Sequence, residues 1–336
     1  MLPLGKLPPD HLARLLSSFA RPDPSILLGP GIGRDCAVID LGGDQLLVAK
    51  SDPITFATDE MGWYAVHVNA NDIATTGATP RWFLATVLLP QRIEPEAIDR
   101  IFNQIDAACR DLDVTVVGGH TEVTHDLARP IVCGTLFGLA SRDRLILPTG
   151  AMPGDALILT KRLAVEATSI IAREKAAELI ERHDLAYLHH CRRFLHDPGI
   201  SVVADARIVV EAGHVHAMHD PTEGGLATAL QELAVASQVN LQVDFDAVPI
   251  YPETQTLCDF YHLDPWGVIA SGSLLIAVDR ADADRVIHAL HDARIEAALI
   301  GHVTERSTQP GVMLKRGNEL DLLRPFARDE ITKLFE

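Results

Sequence analysis

The 336-residue chain predicts an α/β (α+β) protein of two domains. Three observations predict it. The length exceeds what one ordinary core organises, and two units of roughly 150 residues are the default. Apolar strand-like runs alternate with amphipathic helical stretches through both halves. Residues 148–154, Pro-Thr-Gly-Ala-Met-Pro-Gly, then form a breaker-rich linker after which the alternation restarts. The expected domains are 1–150 and 151–336, the first carrying a mixed sheet and the second an α/β sandwich.

Each element has its own signal. Leu12 to Phe19 has helical spacing and stops before Pro22-Asp23-Pro24. Cys36 to Asp40 and Gln45 to Lys50 read as two strands of a hairpin turned by Gly42-Gly43-Asp44. Thr58 or Asp59 can cap a helix that runs to about Thr76, with Gly77 closing it. Phe83 to Leu89 is a strand, and Pro95 to Leu112 is an amphipathic helix with proline in its first turn. Val114 to Val117 and Ile131 to Ala140 complete this sheet, mixed because a hairpin and long helical crossovers coexist. Beyond the linker come a strand at Ala156 to Thr160 and helices at 164–183, 187–195, 201–212 and 225–237. Strands at 241–245, 274–278 and 299–303 follow.

Composition removes several classes of function. Apolar residues make up 47% of the chain, a globular rather than disordered value. No run of about 20 apolar residues is present to span a bilayer as a helix, and the first ten residues do not read as a secretory signal. Five scattered cysteines without a Cys-x-x-Cys pair fit a reducing cytoplasm and no cysteine-type zinc site. Acids outnumber bases 46 to 29, for a formal charge of −17. That surface repels nucleic acid and anionic membrane.

Five motifs carry the chemistry: Gly31-Ile32-Gly33-Arg34-Asp35, Lys50-Ser51-Asp52, Asn69-Ala70-Asn71-Asp72, Gly118-Gly119-His120-Thr121-Glu122 and Asp220-Pro221-Thr222-Glu223-Gly224-Gly225. Each joins a carboxylate to glycines, hydroxyls or amides at an expected strand end or helix start. Hard cations such as magnesium take oxygen ligands, commonly one or two carboxylates plus phosphate oxygens. Glycines let backbone N–H groups approach phosphate closely. Gly29-Pro30-Gly31-Ile32-Gly33 is not a dinucleotide fingerprint, because Arg34 and then a strand follow where a glycine and a helix belong. Lys50-Ser51-Asp52-Pro53 is expected to end a strand, placing Asp52 at the sheet's carboxyl edge. Asn69 and Asp72, three apart on one helix face, are poor interior helix formers and call for a compensating contact such as a metal or nucleotide. Gly118 to Glu122 is expected to form a polar strand tip, and Asp220 to Gly225 to present amides at a helix start to phosphate. Of the histidines crowded between His183 and His219, most are expected to be solvated, with His219 kept as a candidate beside Asp220.

Together these motifs resemble the superfamily of aminoimidazole ribonucleotide (AIR) synthetase, thiamine monophosphate kinase, selenophosphate synthetase and the HypE-type hydrogenase maturation proteins. The likeness covers nearly the whole chain and is closest to the HypE type, through Asp220-Pro221-Thr222-Glu223-Gly224-Gly225-Leu226-Ala227 and Asn71-Asp72-Ile73-Ala74 with Gly77-Ala78-Thr79-Pro80. The resemblance implies an N-terminal domain that pairs with its twin in a homodimer, and ATP bound between the domains. It implies magnesium held by Asp35, Asp52, Asp72 and Asp220. Lys50, Asn71, Gly118, Gly119, Thr121, Thr222, Glu223 and Gly224 would line the nucleotide. The shared chemistry is phosphoryl transfer from ATP, which depends mostly on positioning and charge neutralisation.

Three departures stand out. Arg34-Asp35 replaces a pair of acids, and His120 stands where HypE and several relatives have an aspartate. No cysteine follows Cys258, whereas HypE acts on a cysteine in its C-terminal tail. The expectation is therefore an ATP- and magnesium-dependent, HypE-like cytoplasmic enzyme acting on a small molecule, with His120 and Glu122 contacting substrate or moving protons. The alternatives are a nucleotide-binding maturation partner with little turnover, or a phosphotransferase like thiamine monophosphate kinase or selenophosphate synthetase.

Overall fold

The structure, a computed structural model, describes residues 7, 9–19, 23–55, 57 and 59–335. The chain divides into two compact units: a smaller one of Asp23–Gly29 with Asp35–Leu145, and a larger one to which Pro30–Arg34 and Ile146–Glu336 belong. The expected Thr58 cap and the Pro22 stop lie outside the described residues.

The smaller unit contains β1 (Ile26–Leu28), β2 (Ala37–Asp40), β3 (Gln45–Ile54), α2 (Met61–Thr75), β4 (Thr79–Pro90), α3 (Pro95–Asp111), β5 (Thr115–Thr124) and β6 (Ile131–Ser141). The strand order is β1-β2-β3-β6-β4-β5, and only the β4–β5 pair is parallel, so the sheet is mixed as expected. Alternation along the strands sorts the two faces. Leu46, Val48, Phe83, Val87, Val132 and Leu136 are buried on one side, while Leu47, Trp82, Leu84, Phe137 and Leu139 stay half-buried on the other. α2 packs on the buried side and is itself buried over nearly its whole length. Its close seat depends on two glycines of β6. A Cβ on Gly134 would lie 2.5 Å from Asn69 Nδ2, and one on Gly138 would collide with Ile73 Cγ2.

Local signals at α2 are less direct than expected. Asp59 does not cap it; the residue before the helix is Glu60 in a left-handed conformation, with no side-chain cap. Gln104 of α3 supplies an acceptor instead, its Oε1 taking the Gly62 N–H at 3.1 Å. Gly77 does close the helix, at φ 76°, with its N–H on Ala74 O at 2.9 Å.

The larger unit holds α1 (Pro9–Leu16), β7 (Ala156–Thr160), α4 (Val165–Glu174), α5 (Ala176–Leu179), α6 (Leu185–Arg193), α7 (Val203–Ala212), β8 (Val215–His219), α8 (Gly225–Ser237), β9 (Val239–Asp244), α9 (Pro252–Tyr261), β10 (Leu275–Val278), α10 (Ala283–Asp292), β11 (Ala297–Arg306), β12 (Val312–Arg316) and β13 (Glu319–Leu322). Its seven-stranded sheet has the order β13-β12-β9-β11-β7-β10-β8, mixed through the parallel β12–β9 pair. β7 and β10 are buried at every residue. The expected helix over 164–183 is broken at Lys175 into α4 and α5. Elements that the sequence pattern did not announce are β1, β8, β12, β13, α9 and α10. Among the described residues no helix is long and apolar enough to cross a membrane.

Candidate functional site: an acidic cluster around Lys50

The Lys50-Ser51-Asp52-Pro53 segment falls at the end of a strand, as expected, one residue before its last, Ile54. It lies inside β3, where Asp52 pairs with Gly134 and Pro53 with Cys133 of β6. Because strand residues alternate in direction, Lys50 and Asp52 share the face that α2 covers. Asp72 meets them from α2. Lys50 Nζ lies 2.8 Å from Asp72 Oδ2 and 3.2 Å from Asp52 Oδ2. Asp35, just ahead of β2, adds its field to both Lys50 and Asp72. Three carboxylates and one ammonium thus come together from three separate motifs.

The charge balance of this cluster is strained. Burial alone would pull the Lys50 ammonium down, yet Asp72, Asp52 and Asp35 outweigh it and hold the group well above the usual lysine range. Burial pushes Asp72 up to about 6 against the attraction of Lys50, with repulsion from Asp35 and Asp52 adding to it. One cation faces three anions.

Asn69 and Asn71, both fully buried on α2, flank this point. The contact that compensates Asn69 is internal. Its Oδ1 accepts the Asp52 N–H at 2.9 Å, and its Nδ2 donates to Ala65 O at 2.8 Å. The reason lies in the sheet edge: β2 pairs with β3 only as far as Ala49, so the Asp52 amide has no strand neighbour there. Asn69 is a fastener between helix and strand rather than a ligand.

The Gly118-to-Glu122 motif, by contrast, is not a strand tip. It lies within β5, the exposed edge strand, paired in parallel with Leu84 to Leu88. Gly119 is required there because a Cβ would collide with Ala85 O, at a φ of 148°. Asp52, Gly134, Ala85 and Gly119 form one row across four strands. Gly119 therefore stands roughly 14 Å from Asp52, at about 4.8 Å per strand step. His120 and Glu122 are exposed and pair with each other, Nε2 to Oε2 at 3.0 Å. His120, with Thr121, Phe102 and Asp106, borders a groove of about 390 Å³ beside α3.

In the larger unit, Asp220 is buried at the end of β8, and Thr222 to Gly224 lead into α8. The Gly224 amide does not face outward for phosphate. Asp329 Oδ2 accepts it at 2.6 Å, while Asp329 Oδ1 takes the Ile269 N–H at 3.2 Å and the Ile331 N–H at 2.8 Å. Burial pushes Asp329 up to about 6, the three amides pulling the other way. Glu166, buried at the start of α4, is pushed up to about 7 by burial, against the Ser271 hydrogen bond and with repulsion from Asp329 and Glu223. The sequence reading missed Asp329 and Glu166, since neither sits in a motif. A carboxylate inside an apolar helix face, as at Glu166, was the one available signal. The histidines of β8 are not simply solvated: His216 Nδ1 is 2.8 Å from Asp155 Oδ1, and buried His219 Nε2 is 2.8 Å from Glu232 Oε2.

Among the described residues no three His, Cys, Asp or Glu side chains are grouped closely enough to hold a metal ion by themselves. An ion that arrives with a polyphosphate needs only one or two protein carboxylates. The oxygen donors around Lys50, carrying more negative charge than it neutralises, fit such an ion.

Comparison with known proteins agrees with this architecture. Residues 33–140 match the family described as AIR synthase related protein, N-terminal domain, and residues 152–311 match its C-terminal domain. Carbamoyl dehydratase HypE of Rhizobium leguminosarum bv. viciae is 30% identical over 281 residues, spanning 81% of this chain and 77% of that protein. A crystal structure of hydrogenase maturation protein HypE in complex with ATP has a TM-score of 0.72 at 25% identity, covering 90% of this chain and 91% of the other. A HypE–HypF complex gives a TM-score of 0.73 at 19% identity over 94% and 99% of the chains, a likeness of fold alone. The chain therefore belongs to the AIR synthase-related family, among the proteins that include HypE.

Proposed function

We propose that this protein is an ATP- and magnesium-dependent enzyme that activates a small-molecule acceptor, an amide-type oxygen or a phosphate-like group, by phosphoryl transfer. The observation that carries this reading is the cluster in which Lys50 stands between Asp52 and Asp72 with Asp35 close by. The ATP complex of a HypE relative supports the nucleotide. Asp35, Asp52 and Asp72 of the smaller unit would hold magnesium, which when bound neutralises charge on the transferring phosphoryl group. Lys50 can exchange its carboxylate partners for a phosphate oxygen, since an ammonium on a four-carbon stem reorients readily. Asn71, Gly118, Gly119, Thr121, Thr222 and Glu223 are assigned to the nucleotide; Gly224, expected there too, has its amide taken by Asp329. His120, at the groove beside α3, and its partner Glu122 are assigned to the acceptor and its proton.

The homodimer belongs to the same reading. Leu47, Trp82, Leu84, Phe137 and Leu139 form a half-buried apolar sheet face, and β5 is a long exposed edge; both are surfaces that a second copy would cover.

A second reading is a nucleotide-binding maturation partner with little turnover, supported by the identity to HypE proteins. Incubation with Mg-ATP and a panel of acceptors separates the two. Acceptor-dependent ADP release that disappears in Asp72→Asn supports the enzyme. Tight ATP binding without ADP release supports the partner, and absence of nucleotide binding overturns both.

A further inference from the structure

The start of α8 has no cap of its own. Gly224 occupies the N-cap position at φ 81° and carries no side chain to satisfy the helix's first amides. Helices are ordinarily capped there by a Ser, Thr, Asp or Asn of the same loop. Ala227 N–H in the first turn donates to Trp266 O at 3.0 Å, and Asp329, 105 residues later, accepts the N–H of Gly224 itself. A carboxylate suits the positive end of a helix, and one carboxylate binds three amides from three segments: the 222–225 loop, the 267–271 loop and the C-terminal segment itself.

The surrounding contacts make this an anchored strap. Ala270 N–H donates to Thr222 O at 3.3 Å, tying one loop to the other. Glu330 N–H donates to Gly267 O at 3.0 Å, and the Phe326 ring fills the place a Cβ on Gly267 would take. The buried Thr332 hydroxyl donates to Asp329 O at 2.7 Å and so holds the aspartate's own backbone. Burying a carboxylate is costly unless its oxygens are hydrogen-bonded. Accepting a single N–H does not call for a charge, because a neutral hydroxyl or amide oxygen accepts it as well.

We propose that Asp329 is a positioning residue for the Asp220–Gly225 loop. It fixes the conformation in which Thr222 and Glu223 are presented to ligand, and it couples that loop to residues 267–271 and 326–335. This rests on the assignment of the loop to nucleotide. With Gly224 N–H occupied by Asp329, the loop meets its ligand through the side chains of Asp220, Thr222 and Glu223.

The test compares Asp329→Asn and the milder Thr332→Val with the unaltered protein by amide hydrogen exchange, thermal melting and Mg-ATP titration. Asparagine retains the shape but turns an N–H toward Gly224 N–H or surrenders another acceptor. Expected for Asp329→Asn is exchange at least ten-fold faster at 222–225 and 267–271, with β7 and β10 unchanged. Melting should stay within a few degrees, and Mg-ATP affinity should fall about ten-fold; Thr332→Val should show the same pattern at smaller amplitude. Loop protection intact in both variants overturns the proposal, as does a loosened loop with unchanged affinity. Should the unaltered protein bind no Mg-ATP, the nucleotide assignment fails, while the exchange data still decide whether Asp329 holds the loops.

Discussion

Asn69 Oδ1 accepts the backbone N–H of Asp52 at 2.9 Å, so a helix residue takes the place of a missing strand neighbour. The same amide group donates to Ala65 O within its own helix. Replacing Asn69 by alanine leaves the Asp52 amide without that acceptor and opens space beneath Gly134. The expected cost is about 1–3 kcal/mol, the penalty for a buried donor left unsatisfied. Chemical denaturation measures it; a loss under about 0.5 kcal/mol would show the fastener to be dispensable.

Lys50→Met removes the one cation from a cluster of three acids. Breaking a buried pair from one side costs about 3–5 kcal/mol because it leaves an uncompensated charge. The loss should be larger at pH 8 than at pH 5, since Asp72 escapes the penalty by taking up a proton. Combining Lys50→Met with Asp72→Asn should recover part of the stability. Equal melting shifts at both pH values would contradict this account.

The unaltered protein should lose stability as pH rises from about 5 to 8. Asp72 and Asp329 titrate near 6 and Glu166 near 7 when folded, all above their usual range because of burial. A group raised in the folded state contributes stability that is complete below its unfolded value and is lost as pH climbs through the folded one. Asp23, Asp40 and Asp282 are shifted the opposite way by hydrogen bonds, and their contribution fades only in acid. Melting curves across this window check the sign, and a rise in melting temperature toward pH 8 would refute it.

Leu84→Arg places a charge on the half-buried sheet face without entering the α2 side of the core. If that face is the seam between two copies, sedimentation should show the variant as a monomer with an unchanged melting transition at low concentration. A dimer that survives the substitution would place the seam elsewhere.

What sequence alone determined was local in origin. β7 over Ala156–Thr160 and α8 over Gly225–Ser237 fall where their apolar spacing ends, and α3 starts at Pro95 because proline suits a first helical position. The acids at 35, 52 and 72 were legible because each sits in a short polar motif inside an apolar run. Tertiary structure decided the rest. β8 reads as a histidine-rich stretch until Asp155 and Glu232 arrive to pair with His216 and His219. Gly118 to Glu122 look like a strand tip until β4 pairs with them. The Gly224 amide looks open to phosphate until Asp329 closes on it. Spacing and propensity act within a turn or two of chain, whereas these partners lie 13 to 105 residues away, and only packing brings them within hydrogen-bond distance.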